Sequence, residues 1–372
     1  MRSLKTIFLL TLFLYSSSCF AQNDKAGPVS PHATPEARAL LQLLYNFSGK
    51  YTLTGQHNFP GDRDSDSRFA ATYEGKMPAI WSIDFGFAKA GNKDSYLKRQ
   101  ANVEEAIRQY KKLGCIVTFC WHAVPPTANE PITFQPLPGS DPNAPLASVQ
   151  GHLTDQQFKD ILTPGTELYK HWAEQVDTIA YYLRELQKAH VPVLWRPYHE
   201  MNGNWFWWGN RTGEYSTAAL YRQIFDRLVH YHKLHNLIWV WSVDRPTRPG
   251  MEFTSYYPGD QYVDILALDV YGSDFKQDYY DQLLALSKGK PITLAEVGSP
   301  PSPQVMDQQP KWSYWVIWAG MTQNTPEDQF EALMNDPHLI GRDDEVYINA
   351  VNQFRKKLGL RAIKPIADPA VK

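Results

Sequence analysis

Two glutamates, each closing an apolar run, are the residues in this chain best placed for acid–base chemistry. Glu200 ends "VLWRPYHE" (193–200) and is followed by "MNGNWFWWG", with four consecutive aromatics at 205–208. Glu296 lies in "PITLAEVG" (291–298). Two carboxyl groups flanking a cleft can hydrolyse a glycosidic bond: one protonates the leaving oxygen, and the other attacks the anomeric carbon or activates water. They must hold opposite protonation states. A desolvated carboxyl beside another negative charge keeps its proton, whereas a carboxylate held by donors stays ionised. The aromatic wall could desolvate Glu200. Arg196 and Tyr271 are candidate donors to Glu296, although Arg196 could equally be a buried structural partner.

Something must bring the two glutamates together. Eight apolar, β-rich runs predict strands over 51–57, 77–85, 115–122, 191–200, 237–244, 263–271, 291–298 and 312–320. Most are continuous apolar runs, the pattern of parallel strands buried on both faces. Amphipathic patterns between them predict helices, among them 103–114, 166–190 and 218–235. Eight strand–helix repeats in one α/β chain predict a single (β/α)8 TIM barrel over 37–372. An open doubly wound sheet is the rival, but no Gly-rich phosphate loop follows any strand. The strands turn polar or aromatic at their C-terminal ends: Gln56-His57, Asp84, Trp121-His122, His199-Glu200, Asp244, Asp269 with Tyr271, and Glu296. In a barrel these ends form one rim, where active sites sit. Glu200 and Glu296, on the fourth and seventh strands, would face each other across it.

"RPYHEMNGNWFWWG" resembles the acid/base motif of glycoside hydrolase family 26, whose members are mostly β-mannanases, and "ITLAEVG" resembles that family's nucleophile strand. "LDVYG" and "FCWHAVPP" match more loosely. The resemblance implies retaining hydrolysis of β-1,4-linked mannan, with β-1,3-xylan or mixed-linkage β-glucan as rival substrates. It makes Glu200 the acid/base and Glu296 the nucleophile. Retention implies carboxyls about 5 to 5.5 Å apart. The resemblance also implies sugar contacts at His122, His199 and Trp205, a supporting pair at Asp269 and Tyr271, and Trp315 as the floor of the subsite holding the reacting sugar. No cofactor or metal is implied. From another class, a carbohydrate-binding protein on a decayed barrel is the alternative.

Composition narrows the partners. A net charge of -2 in 372 residues argues against nucleic acid or an anionic membrane surface. The 12 Trp, 21 Tyr and 17 Phe could be core filler or flat platforms for sugar rings. Residues 1–21, with Arg2 and Lys5 before "TIFLLTLFLY" and a small-residue end, read as a signal peptide. Export to the periplasm or beyond is expected, with a lipid anchor at Cys19 as the alternative to simple cleavage. Residues 22–36 read as a short linker and the protein as a monomer. Cys115 and Cys120, an odd number of positions apart on one strand, point to opposite faces and read as buried free thiols. His230, His232 and His235 share one helix and read as surface residues. Asp244 reads as a rim or ion-pairing residue. The long Pro-rich segment from Val124 to Leu162 is expected to shape the cleft.

Overall fold

The computed structural model describes residues 27–86, 98–141 and 143–366. The expected signal peptide, Cys19 and the first part of the expected linker lie outside these residues. Eight parallel strands close on themselves. The first, β1, runs in two pieces, Thr52–Leu53 and Gly55–His57. It is followed by β2 (Ile80–Asp84), β3 (Ile116–Trp121), β4 (Val193–Pro197) and β5 (Leu237–Asp244), then β6 (Ile265–Val270), β7 (Ile292–Val297) and β8 (Trp312–Ile317). Closure comes from β8 pairing with β7 on one side and with both pieces of β1 on the other. Helices pack around this ring, including Arg99–Arg108, Glu167–Lys188, Thr217–Phe225 and Gln277–Ser287. The architecture is the single (β/α)8 barrel that the alternating pattern predicts.

Strand alternation sorts the core into two layers. Ile80, Ile116, Leu194, Ile238, Val240, Ile265, Ala267, Tyr314 and Val316 share one cluster with Leu40 and Leu44 of the helix Pro35–Phe47, which plugs the N-terminal end of the barrel. Trp195, Trp239, Trp241, Leu266, Leu268, Leu294, Trp312 and Trp315 belong to the other cluster, between strands and outer helices. Burying a side chain of this size stabilises the fold by about 1.5–3 kcal/mol. Ten of the twelve tryptophans are less than 2 % exposed, so most of the tryptophan content is core. The exceptions are Trp205 and Trp318, and both lie at the C-terminal rim.

Element boundaries depart from expectation where local chemistry intervenes. The helix expected over 103–114 begins at Arg99 and finishes in a wide turn, Gln109–Leu113, that ends on Gly114 in the left-handed region (φ 78°). Part of the expected linker is tied down: the Val29 amide donates to Asp264 (2.7 Å), and Thr34 caps the plug helix through the Ala37 amide (3.2 Å). Residues 29–34 are therefore the packed lead-in to the plug. Cys115 and Cys120 are buried free thiols; Cys115 faces the outer layer, while Cys120 touches Asp84 inside.

Candidate active site

Glu200 is aimed by a turn rather than by the strand itself. β4 ends at Pro197, and Tyr198 and Glu200 both adopt positive φ (49° and 50°). Such backbone costs on the order of 1–3 kcal/mol for each residue, so the surroundings must over-determine it. Trp172 Nε1 donates to the Tyr198 hydroxyl (2.9 Å), Trp208 Nε1 donates to the His199 carbonyl (2.8 Å), and the Gly203 amide donates to the Glu200 carbonyl (2.8 Å). Gly203 lies under the Trp205 ring, where an added Cβ would come within 2.3 Å of indole carbons. With that ring seated, Trp205 Nε1 donates to Glu200 Oε2 at 2.6 Å.

Glu296 is aimed by a bulge. Leu268 pairs with Leu294, but Asp269 pairs with Glu296, so β7 carries one extra residue, Ala295. Leu294 faces the outer layer, and plain alternation would turn Glu296 outward with it. The bulge returns its carboxylate to the barrel axis, a use bulges often have beside active sites. There Arg196 Nη2 donates to Glu296 Oε2 (2.6 Å), and the Tyr271 hydroxyl donates to Oε1. Arg196 Nη1 donates to Asp269 Oδ2 (2.8 Å), whose other oxygen accepts from Ser242 (2.8 Å). Asp244, Asp269 and Glu296 stand in register on three neighbouring strands.

This crowd of carboxylates separates the two glutamates chemically. Burial, then the charges of Glu296, Asp269 and Asp244, hold the Glu200 carboxyl well above the usual carboxylate range; the Trp205 bond opposes this. These surroundings favour the protonated form of Glu200. Burial works against the Arg196 charge, but Asp269 and Glu296 outweigh it and keep the guanidinium cationic. Burial and Glu296 push the Tyr271 hydroxyl well up, so it remains a donor. One carboxyl is thus biased toward its protonated form, and the other is held by two donors.

Beside this pair lies a buried polar cluster. His122 Nδ1 meets Asp84 Oδ2 at 2.5 Å, and His122 Nε2 meets His199 Nε2 at 3.2 Å. Both ring nitrogens of His122 are engaged inside the protein. His199 is fully buried between His122 and the rings of Phe206 and Trp208. The sugar contacts expected of these two histidines would therefore have to come from ring edges, or from His122 alone. His57, named in the sequence only as a rim residue, stacks on Trp318 with centroids 4.2 Å apart. His57, Asp84 and Cys120 are close enough to suggest a metal site. However, burial pushes the Cys120 thiol well up, and its hydrogen points at Asp84 (2.9 Å), so a protonated thiol stands where a ligand thiolate would be needed.

Trp315 is a correction. Its ring has no exposed surface and packs outward against Phe330 (6.3 Å), because alternation on β8 gives the barrel interior to Tyr314 and Val316. Trp318, just past the strand, presents its ring beside His57 and 5.8 Å from His122. Asp244 proves to be both rim and ion-pairing residue, 3.3 Å from Arg245. His232 pairs with Asp177 (2.6 Å) on the outer helices, far from a ligand role. The long segment after β3 packs against these residues: Gln150 bridges Phe206, the Gly151 amide donates to the Trp205 carbonyl (2.9 Å), and Phe134 packs on His122 (5.7 Å).

The family profile described as "Glycosyl hydrolase family 26" matches residues 29–344. A mannan endo-1,4-beta-mannosidase of Thermothelomyces thermophilus is 33% identical over 303 residues, covering 80% of this chain and 58% of that protein. A protein of the same name from Bacillus subtilis is 31% identical over 349 residues, covering 84% and 88%. The solved structure of GH26A from a Muricauda species superposes with a TM-score of 0.75 at 40% identity, covering 84% of this chain and 98% of that one. The chain spans little more than half of the Thermothelomyces protein. With this profile matched across both glutamate-bearing strands, the chain belongs to glycosyl hydrolase family 26.

Proposed function

We propose that the protein hydrolyses β-1,4-mannosidic linkages of mannan by double displacement. The observation that carries this reading is the contrasting placement of two glutamates, one just past β4 and one on β7: Glu200 buried among other carboxylates and bonded by Trp205, Glu296 clamped by Arg196 and Tyr271. In the first step a Glu296 oxygen attacks the anomeric carbon. The bond to the leaving oxygen breaks, and that oxygen takes the Glu200 proton. In the second step water gives a proton to the Glu200 carboxylate and attacks the same carbon, releasing Glu296. Trp205 and Trp318 are the aromatic rings left to face sugar once the other ten tryptophans are spent on the core. Mannan as substrate is supported by the names of the relatives, and by a termite-symbiont β-mannanase solved with a gluco-manno-oligosaccharide, similar at TM-score 0.70 and 25% identity.

Incubation with β-mannan, galactomannan, β-1,3-xylan and mixed-linkage β-glucan, with products followed over time, tests the substrate. Release from the mannans alone supports the reading. Release only from xylan or glucan keeps the chemistry and overturns the substrate, and no release from any of them favours a binding protein. We also propose that the chain is exported, on the strength of residues 1–21; detection of the full-length precursor in the cytoplasm alone would contradict this.

A further inference from the structure

We propose that Asp84 is a positioning residue: it sets the tautomers of His122 and His199 and, through them, steadies the turn that aims Glu200. Asp84 ends β2 and is fully buried. Among the described residues four groups point at its carboxylate, and all are donors. Oδ2 takes the Cys120 thiol (2.9 Å) and His122 Nδ1 (2.5 Å); Oδ1 takes the backbone amides of His122 (3.3 Å) and Gly86. A carboxylate is the side chain of this size that accepts on both oxygens. With its proton on Nδ1, His122 offers Nε2 as a bare acceptor. His199 must then donate from Nε2 across the 3.2 Å contact, which leaves its Nδ1 unprotonated. Burial holds His199 neutral, consistent with a single defined tautomer. His199 sits between the two positive-φ residues Tyr198 and Glu200, so its ring is one side-chain anchor of that turn, beside the Tyr198 hydroxyl held by Trp172. A hydrogen-bonded carboxylate commonly fixes an imidazole in this way.

Asp84→Asn reverses the chain of donors. An asparagine cannot turn its NH2 toward the two backbone amides, which have no alternative state. It must face the amide oxygen to them and the NH2 to His122 and Cys120. His122 Nδ1 then becomes an acceptor, its proton moves to Nε2, and His199 is forced into the opposite tautomer. The kinetic consequence rests on the glycosidase reading; the tautomers do not.

Nitrogen-15 NMR of histidine-labelled protein, with His122 and His199 assigned by single substitution, tests the tautomers. The wild type should show a protonated Nδ1 and bare Nε2 at His122, and the reverse at His199. A wild-type His122 protonated at Nε2 overturns the proposal whether or not any variant folds. In Asp84→Asn both patterns should invert. The kcat on mannan should fall on the order of 10²-fold with KM little changed, as for other supporting carboxylates. Turnover of dinitrophenyl β-mannobioside, whose leaving group needs little protonation, should fall less than about tenfold. Equal losses on both substrates, or inverted tautomers with unchanged mannan turnover, would contradict a role in aiming the acid. Inverted tautomers without activity on any glycoside would instead count against the mannanase reading.

Discussion

Arg196 reaches Glu296 across the barrel mouth, donating at 2.6 Å from β4 to a carboxylate on β7, while its second nitrogen holds Asp269 at 2.8 Å. The contact joins the strand that leads into Glu200 to Glu296, so one guanidinium registers the two glutamates of the proposed mechanism. It is also a buried ion pair, strongly destabilising when one partner is removed. Arg196→Met should cut kcat on the order of 10³-fold. It should also cost about 3–5 kcal/mol of stability, read by denaturant titration. A well-folded, active Arg196→Met would show that Tyr271 alone holds Glu296.

In the proposed mechanism Glu200→Gln removes the proton that leaves with the aglycone. Turnover of mannan should fall about 10²- to 10⁴-fold, with a smaller loss on a dinitrophenyl glycoside. The raised Glu200 carboxyl also fixes the sign of the pH response. Activity needs its protonated form, so kcat/KM should decline as pH rises through its titration, and that alkaline limb should vanish from the residual activity of Glu200→Gln. An unchanged alkaline limb in the variant would assign it to another group.

Trp205→Phe keeps a ring over Gly203 but deletes the indole donor to Glu200. The kcat should drop about tenfold and the thermal midpoint should hardly move, since one hydrogen bond to a protonated carboxyl is worth only about 0.5–1.5 kcal/mol. A rise in KM with unchanged kcat would make Trp205 a sugar platform only.

Trp318→Ala and Trp315→Phe separate the two candidates on the last strand. The first should lower kcat/KM about 10²-fold, because the ring beside His57 and His122 is lost. The second should leave activity within twofold or so and cost about 1 kcal/mol of packing against Phe330. The opposite ranking would restore Trp315 to the site.

How far the sequence carried the site is visible in these residues. The strand ends named both glutamates, Asp269, Tyr271 and Asp84, because buried parallel strands give continuous apolar runs whose polar termini stand out. What alternation alone could not supply was aim. The positive-φ turn at Tyr198–Glu200 follows an X-Pro-X pattern with no glycine to mark it, and the Ala295 bulge has no signature in "ITLAEVG". Trp312, Trp315 and Trp318 are equivalent by residue type, and only the register of β8 with its neighbours sends Trp315 outward. Among the described residues, the donors around Asp84 come from β3 and the loops after β2 and β3, so no single local pattern could reveal them together.

A group outside the site makes a further pH prediction. Glu74 is buried with one oxygen bonded to Thr54 (2.8 Å), and burial pushes its carboxyl up to about 8. The folded protein thus holds this proton more tightly than the unfolded chain, whose value is 4.5. That stabilisation is complete below the unfolded value and is lost as pH rises through about 8. The wild type should lose about 3 kcal/mol between pH 6 and pH 9 from this group, and Glu74→Gln should flatten that slope in denaturant titrations. Parallel slopes would mean that Glu74 titrates normally.

The most direct test of the double displacement is proton NMR of a manno-oligosaccharide digest within the first minutes, before mutarotation. Two inversions at one carbon, with Glu296 as the intermediate partner, predict that the new reducing end appears first as the β anomer. An α anomer appearing first would mean a single displacement by water and would remove Glu296 from its role as nucleophile.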